Sequence, residues 1–469
     1  MTENVTTSQD ATQTRSQRLS EFVSALRPDD LPTAVRQDAI WRVMDTIGVS
    51  LVGSGMDYAQ PIQKVFVELA GRGESTVIGG GERLPAPAAG FVNAAYAHGP
   101  DFDDTHSVAM VHIGCLAVPS ALAMAERTGA TGADMLTALV AGAEVGLRIG
   151  AAAPHRFHMR GFHATGVVGP FTAAATAGKL LGLDVDRLSN GLGLAGSQAA
   201  GLLQGLHDGS WVKRLHPGWA VQGGITAALL AEQGYLGPPQ VLEGGWALYA
   251  VLLHGDSEPV DFDVLTNGLG TEWLLPETTY KPYSNGAWNH SAMDGVAAIM
   301  AAESLTYKDI ARVDAIVPPE CIPVVCEPRD AKIQPVTPYH MKFSLPYSVA
   351  ILAVLGHAGV DDYTTEVHTN PDIADLASRV YCEADPRMAP DRFPARVRLE
   401  TRDGRHFSYD IPAQRGGPGN PFSADDHRAK FLSNASPSLG VSRAESLMRT
   451  IENIWELQSV GELVRLAVR

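Results

Sequence analysis

Cysteine, positive charge and long apolar runs are all scarce in this sequence, and each scarcity removes a class of function. Among 469 residues there are 4 cysteines, Cys115, Cys321, Cys326 and Cys382. Four thiols in a chain of this length do not make a disulfide framework. None forms a CxxC pair, and their spacing suits neither a zinc site nor an iron–sulfur cluster. No uncharged apolar run reaches the ~18 residues that a membrane span needs. The segment from Met1 to about Gln17 is polar and has no apolar core, so it reads as a disordered tail and not as a signal peptide. The expectation is a soluble, cytoplasmic protein with no membrane partner.

Lys and Arg number 36 against 52 Asp and Glu, a formal net charge of −16. A field of that sign repels phosphate backbones, so no nucleic acid is expected as a partner. An anionic ligand would need a local cluster of Lys, Arg and His. Nucleotide motifs are missing too. Gly79-Gly80-Gly81 follows a possible strand, Ser75 to Ile78, but no GxGxxG or Walker pattern continues it. No GxSxG nucleophile elbow occurs.

What is present is a globular composition, 45% hydrophobic and 19% charged, in a chain long enough for two domains. The first half reads as helices: Leu31 to Val52, Leu116 to Glu126, Gly132 to Ala152, Thr165 to Leu181, Val185 to Leu206 and Gly218 to Gln233. Ala and Gly crowd their broad apolar faces, as in helices buried among helices. After about Trp273 the pattern changes. Val313 to Val317 reads as a strand. Arg396 to Glu400 and His406 to Ile411 alternate around Asp403-Gly404, a hairpin signal. Leu345 to Leu355 reads as a buried helix. Residues 412–421 read as a Gly/Pro-rich linker, with helices again over Ala424 to Phe431 and Arg443 to Val460. The fold class expected is mainly α with an α+β second domain: a tail over 1–17, a helical domain over 18–272 and an α+β lid over 273–411. The linker and C-terminal helices, 412–469, would return to the first domain.

The run Asp101-Phe102-Asp103-Asp104-Thr105-His106 places three carboxylates within four residues. Like charges so close raise one another's pKa, which is costly under burial. Alone it reads as a solvated turn or a helix cap. His98 before it, His112 after it and the apolar flanks favour an acid–base site. Arg160-Gly161-Phe162-His163 precedes an Ala/Gly-rich helix, where free N–H groups attract anions. His155, His158 and His163 lack the i, i+4 pair of a helical zinc motif, so no metal is expected. Lys213-Arg214-Leu215-His216 opens another helix and could clamp a carboxylate. Tyr280-Lys281-Pro282-Tyr283, His290 and Lys342 to Tyr347 fall where an inter-domain cleft would lie.

Five ordered blocks carry a family likeness: AYAHGPDFDDTHSVAMVHIG, RGFHATGVVGPFTAAATAGKLLGLD, VKRLHPGWAVQGG, YKPYSNGAWNH and MKFSLPYSVA. Together, from about Leu19 to the C-terminus, they resemble the MmgE/PrpD family, which includes 2-methylcitrate dehydratase, cis-aconitate decarboxylase and iminodisuccinate epimerase. The resemblance implies a helical domain with a smaller α+β lid, a homodimer, and a site without metal or cofactor. It implies a small di- or tricarboxylate substrate and, first, dehydration of a 2-methylcitrate or citrate type. Decarboxylation or epimerisation on the same scaffold are the alternatives, and a non-catalytic helical ligand-binding protein is the rival of another class. By position the resemblance assigns Asp101, Thr105, His112, His163 and Tyr347 to acid–base chemistry. Lys213 and Lys281 would bind substrate, and Arg160 and His290 join them as candidates. One stretch departs from the family: Ser284 to Asn289 is uncharged, where many relatives carry cysteines and a basic or aromatic residue.

Overall fold

The computed structural model describes residues 13–469. Of the expected tail, residues 1–12 lie outside the described residues. Residues 15–17 are already helical, a correction to the tail's boundary. The helix Arg15–Ala25 starts on a capping box, in which Thr14 Oγ1 accepts from Gln17 N while Gln17 Oε1 accepts from Thr14 N at 2.9 Å. Two hydrogen bonds satisfy amides that a helix start leaves open.

The first domain is a helical bundle, as the Ala/Gly-rich apolar faces predict. At its centre Ala164–Leu180 packs between Gly132–Ala151 and His216–Glu232. Small residues set the approach. A Cβ at Gly142 would stand 2.0 Å from Thr176 Oγ1, and one at Gly146 would stand 2.0 Å from Thr172 Oγ1. Phe431, Ala435, Leu447 and Ile451, from the C-terminal helices Ala424–Leu439 and Val441–Glu452, share one apolar core with Leu19, Val43 and Phe171.

The second core is built on a four-stranded mixed sheet in the order Val380–Ala384, Ile310–Val317, Ala395–Thr401, His406–Ile411. The first pair is parallel and the others antiparallel. Alternation shows directly: Ala395, Val397, Leu399 and Thr401 are buried, while Arg396, Arg398 and Glu400 between them are not. Burying a side chain such as Val397 or Leu399 stabilises the sheet by about 1.5–3 kcal/mol. The helices Ala287–Glu303 and Leu345–Leu355 pack against this sheet and each other.

Three differences from the sequence reading have physical causes. The helix expected over Val185 to Leu206 ends at Gly196. Gly191, Gly193 and Gly196 lower its propensity, and beyond it Gly201, at φ +126°, brings its carbonyl to His163 N at 2.9 Å. The strand Val380–Ala384 was not expected, because only Val380 of its five residues is buried and alternation has little to act on. The helix Ala86–His98 is apolar on nearly every face, and in Ala287–Glu303 the buried residues include the polar Asn289, His290 and Ser291, so neither carries a clear 3.6-residue period.

Candidate active site

The acidic run occupies the loop between the helices Ala86–His98 and Gly114–Thr128. Asp101, Asp103 and Asp104 are each 1% exposed, so the loop is not a solvated turn. Each carboxylate has its own counterpart. Asp104 accepts from Arg42 Nη1 at 2.7 Å and from the Gly114 amide at 3.0 and 2.9 Å. A side chain at Gly114 would crowd this corner, since a Cβ there would stand 2.7 Å from Thr46 Oγ1 and 3.0 Å from Asp104 Oδ2. Burial lifts the Asp104 carboxyl to about 6, with Arg42 opposing the rise. Arg42 is itself fully buried, stacked 4.0 Å from the Tyr280 ring centre and bonded to Asp38.

Asp101 sits in the left-handed region at φ +56°, a costly conformation for a residue with a side chain. Its Oδ1 accepts from Lys213 Nζ at 3.1 Å and from Lys281 Nζ at 3.3 Å, and its carbonyl accepts from Lys281 at 3.2 Å. Burial works to raise the Asp101 pKa, but the two ammonium groups outweigh it and hold the carboxyl well below its ordinary range. Asp101 Oδ2 is buried and unbonded.

Three imidazoles surround this pair. The ring centres of His98 and His112 are 4.7 Å apart, those of His98 and His163 5.3 Å, and those of His112 and His163 5.7 Å. His112 Nδ1 lies 2.6 Å from the Asp104 carbonyl, which can only accept, so Nδ1 carries the proton and Nε2 is left basic. Thr105 Oγ1 stands 3.1 Å from the same nitrogen. The Thr105 backbone pairs with Thr279 on both sides, at 2.9 and 3.0 Å, which ties the loop to the segment carrying Lys281. His163 caps Ala164–Leu180; its Nδ1 meets His216 Nδ1 at 3.1 Å and its Nε2 is buried without a partner. Burial first, and Lys213 after it, holds His98 and His163 well below the ordinary imidazole value. Burial does the same to His112, against the pull of Asp103.

Six of the residues expected from the sequence therefore meet: Asp101, Thr105, His112, His163, Lys213 and Lys281. Three do not join them. Arg160 is exposed and donates to the His254 carbonyl at 2.8 Å. Tyr347 lies in the second apolar core, with its hydroxyl donating to the His368 carbonyl at 2.8 Å. His290 is near enough to feel Lys281 and Asp101, but both ring nitrogens are engaged, by Gln414 Nε2 at 2.8 Å and the Asn285 carbonyl at 3.3 Å.

Sequence reasoning left out Arg42, whose only signal is a charge inside an apolar helix, and it treated His98 and Asp103 only as neighbours. It also gave Lys342 no role of its own. Lys342 Nζ donates to the Pro100 carbonyl at 2.9 Å, the Ser284 carbonyl at 2.6 Å and Ser284 Oγ at 2.8 Å. The uncharged stretch after YKPY thus braces the loop: Ser284 Oγ also donates to the Pro100 carbonyl at 2.8 Å.

Among the described residues two groups have spacing for a metal, His98 with His112 and His163, and His98 with Asp103 and Cys115, their donor atoms lying within 4.8 Å. Both need His98. Its Nδ1 is bound to Asp103 at 2.7 Å and its Nε2 to Lys213 Nζ at 2.9 Å, and an ammonium there repels a cation. The donor set fits proton transfer and anion binding better than metal ligation.

No helix among the described residues is long and apolar enough to cross a membrane. The chain is 27% identical over 468 residues to a cis-aconitate decarboxylase-like protein, oryM, of Aspergillus oryzae, covering 96% of each. It is 32% identical over 287 residues to cis-aconitate decarboxylase of Aspergillus terreus, covering 59% of this chain and 58% of the relative. Against cis-aconitate decarboxylase of Homo sapiens it is 27% identical over 467 residues, 95% of this chain and 92% of the relative. The MmgE/PrpD N-terminal domain model matches residues 17–260 and the C-terminal domain model matches 283–457. With both halves matched in order, the chain belongs to the MmgE/PrpD family.

Proposed function

We propose that this protein is a lyase that decarboxylates a small polycarboxylate of the cis-aconitate type. One observation carries the reading: Lys213 and Lys281 converge on the buried Asp101 and each keeps a donor in hand. An ammonium has three N–H bonds. Lys213 uses two, on His98 and Asp101, and Lys281 uses two, on the Asp101 carboxylate and carbonyl. Lys342 spends all three on Pro100 and Ser284, so it has none to offer a substrate. Lys213 is close enough to act electrostatically on His163 and His112, and Lys281 on His112; His163 Nε2 is unbonded and His112 Nε2 is left basic.

In this reading the two lysines hold substrate carboxylates. The bond between the methylene carbon and its carboxylate breaks, and carbon dioxide leaves. The electron pair passes through the alkene to the far carbon and is shared with its carboxylate as a dienolate. The lysines stabilise that charge where no water screens it. The far carbon then takes a proton from His112 or His163, which recovers it from solvent. Asp101 orients the lysines, and Thr105 steadies His112. Every residue of the cluster is nearly inaccessible, so these charges act with little screening by solvent.

Dehydration of citrate or 2-methylcitrate would use the same residues, with a histidine taking a proton first. The relatives' names favour decarboxylation over it. The homodimer implied by the family is a proposal as well, checked by sedimentation. The test of function is turnover of cis-aconitate, citrate and 2-methylcitrate by wild type and His163→Ala, with products identified by proton NMR. Wild type turning over none of the three sinks the reading. Full activity in His163→Ala sinks the acid–base role.

A further inference from the structure

Arg214 is a buried cation that the site as described leaves unused. It is 4% exposed, yet its Nε and Nη1 have no hydrogen-bond partner. Its nearest carboxylate is Asp57 Oδ1, 3.6 Å from Nη1, on a side chain that is itself 66% exposed. Other buried arginines differ. Arg148 donates to four backbone carbonyls and Glu144, and Arg156 to Asp256, Glu258 and Pro259. A buried guanidinium without a matched anion is costly unless something else supplies the charge.

Aromatic rings line the place instead. The guanidinium carbon stands 4.0 Å from the Tyr339 ring centre, 4.5 Å from that of Tyr58 and 5.5 Å from that of Trp211. Rings favour a cation over their faces but leave its in-plane N–H groups unbonded. The Tyr339 hydroxyl is buried there too, and the partner it has is Arg214 itself, whose charge and hydrogen bond oppose the rise in its pKa. Tyr339 belongs to the second domain and Arg214 to the first, so the two face each other across the seam. They also adjoin the cluster. The Tyr339 ring lies 5.3 Å from the Phe343 ring, which in turn lies 5.5 Å from Lys213 Nζ. Burial, with Asp101 adding to it, raises the Tyr339 phenol well above its ordinary value, so it stays a donor.

We infer that Arg214 and the Tyr339 hydroxyl together bind the substrate carboxylate farthest from Lys281, which makes this a site for tricarboxylates in preference to dicarboxylates. The inference rests on the polycarboxylate reading and deepens it. A guanidinium binds carboxylates through charge-assisted hydrogen bonds, and the buried, unbonded Nε of Arg214 is a donor left over for one.

The test compares two unreactive probes on the full chain. Tricarballylate carries three carboxylates, and methylsuccinate lacks one of them. Calorimetry on wild type is expected to show tricarballylate binding about 30-fold tighter. Arg214→Gln should remove most of that preference while changing methylsuccinate binding by less than roughly threefold. Tyr339→Phe should remove part of it. That variant deletes a single oxygen and keeps the ring against Arg214, so the experiment stays readable should Arg214→Gln lower stability. If wild type prefers tricarballylate and both variants keep the preference, the subsite is wrong while the functional reading stands. If wild type binds neither probe and turns over no polycarboxylate, both fall together.

Discussion

Lys213 Nζ lies 2.9 Å from His98 Nε2, and because an ammonium only donates, this contact fixes the imidazole's tautomer. Nδ1 must then carry the proton, and it donates to Asp103 Oδ2 at 2.7 Å. Asp103, His98, Lys213 and Asp101 form one buried chain with alternating roles. The Asp103→Asn substitution keeps the shape but removes the charge that holds this tautomer. The expected result is a fall in kcat of about 100-fold, within the range seen for groups that set proton transfer, with KM moved far less. Steady-state kinetics on the preferred substrate decides it, and a kcat within threefold of wild type would remove Asp103 from the mechanism.

Asp101 is the anion shared by two buried lysines. Replacing it with Asn leaves both ammonium groups without a carboxylate. Breaking a buried ionic group from one side costs ~3–5 kcal/mol. Urea unfolding of Asp101→Asn should show a loss of that order, relieved in part by adding tricarballylate, which returns negative charge to the same place. A variant as stable as wild type would mean that Lys213 and Lys281 do not depend on this carboxylate, and the clamp would not exist as described.

Tyr347 offers a contrast. Its block resembles the family's closely, but its hydroxyl serves the His368 carbonyl inside the second core. The Tyr347→Phe substitution is expected to lower stability by about 1 kcal/mol, the worth of one buried hydrogen bond, and to leave kcat within threefold of wild type. A loss of 100-fold in kcat at unchanged stability would place this hydroxyl in the reaction.

What could be read in the sequence follows from where each signal lives. Helices with one polar face, such as Val441–Glu452, announce themselves, as does the Asp403-Gly404 hairpin, where Gly404 takes φ +84°. Helices apolar all round, such as Ala86–His98, do not. In the site, residues within motif blocks were legible one by one, because the blocks occur in order along the chain. Their partners were not. Arg42 reaches Asp104 from 62 residues away, and Lys342 reaches Pro100 from 242 away. No local pattern encodes such pairings. The acidic run is the clearest case, since composition alone favours a solvated turn and only its distant counterions explain its burial.

Buried histidines set the acid limit of stability. His106 is pushed down to about 4 by burial and then by Arg42, and His216 to about 4 by burial and then by Lys213. Unfolding returns each to about 6.5, so the unfolded chain binds more protons between pH 6.5 and 4. These groups therefore contribute stability that is whole above pH 6.5 and is lost as pH falls towards 4. At pH 5 the loss is about 2 kcal/mol for each such histidine. Denaturant midpoints measured from pH 7 to 4.5 should fall steadily, and His106→Gln should flatten the slope by about one proton. A midpoint that stays level over this range would mean that the imidazoles are not held neutral.

The same neutrality bears on how the proton reaches the reaction. In the empty site His112 and His163 are held well below the ordinary imidazole value, burial leading and Lys213 assisting, so at pH 7 neither carries the charge that a proton donor needs. A bound tricarboxylate reverses the sign of the field. Its carboxylates would lie beside Nε2 of both rings, and an opposite charge within ~4–6 Å favours the protonated form. Substrate binding would then draw a proton into the site, arming the donor only when there is something to protonate. Linkage fixes the direction: a complex that holds more protons than its parts binds more tightly as pH falls. Tricarballylate affinity should rise by up to about tenfold per unit from pH 8 to 6. Calorimetry at pH 7 in buffers of different ionisation enthalpy should give uptake of close to one proton per ligand. His163→Gln should diminish that uptake if this ring is the donor, and His112→Gln should do so if it is the other. Affinity independent of pH, with no proton taken up, would mean that the histidines stay neutral in the complex, and the proton given to the far carbon would have to come from elsewhere.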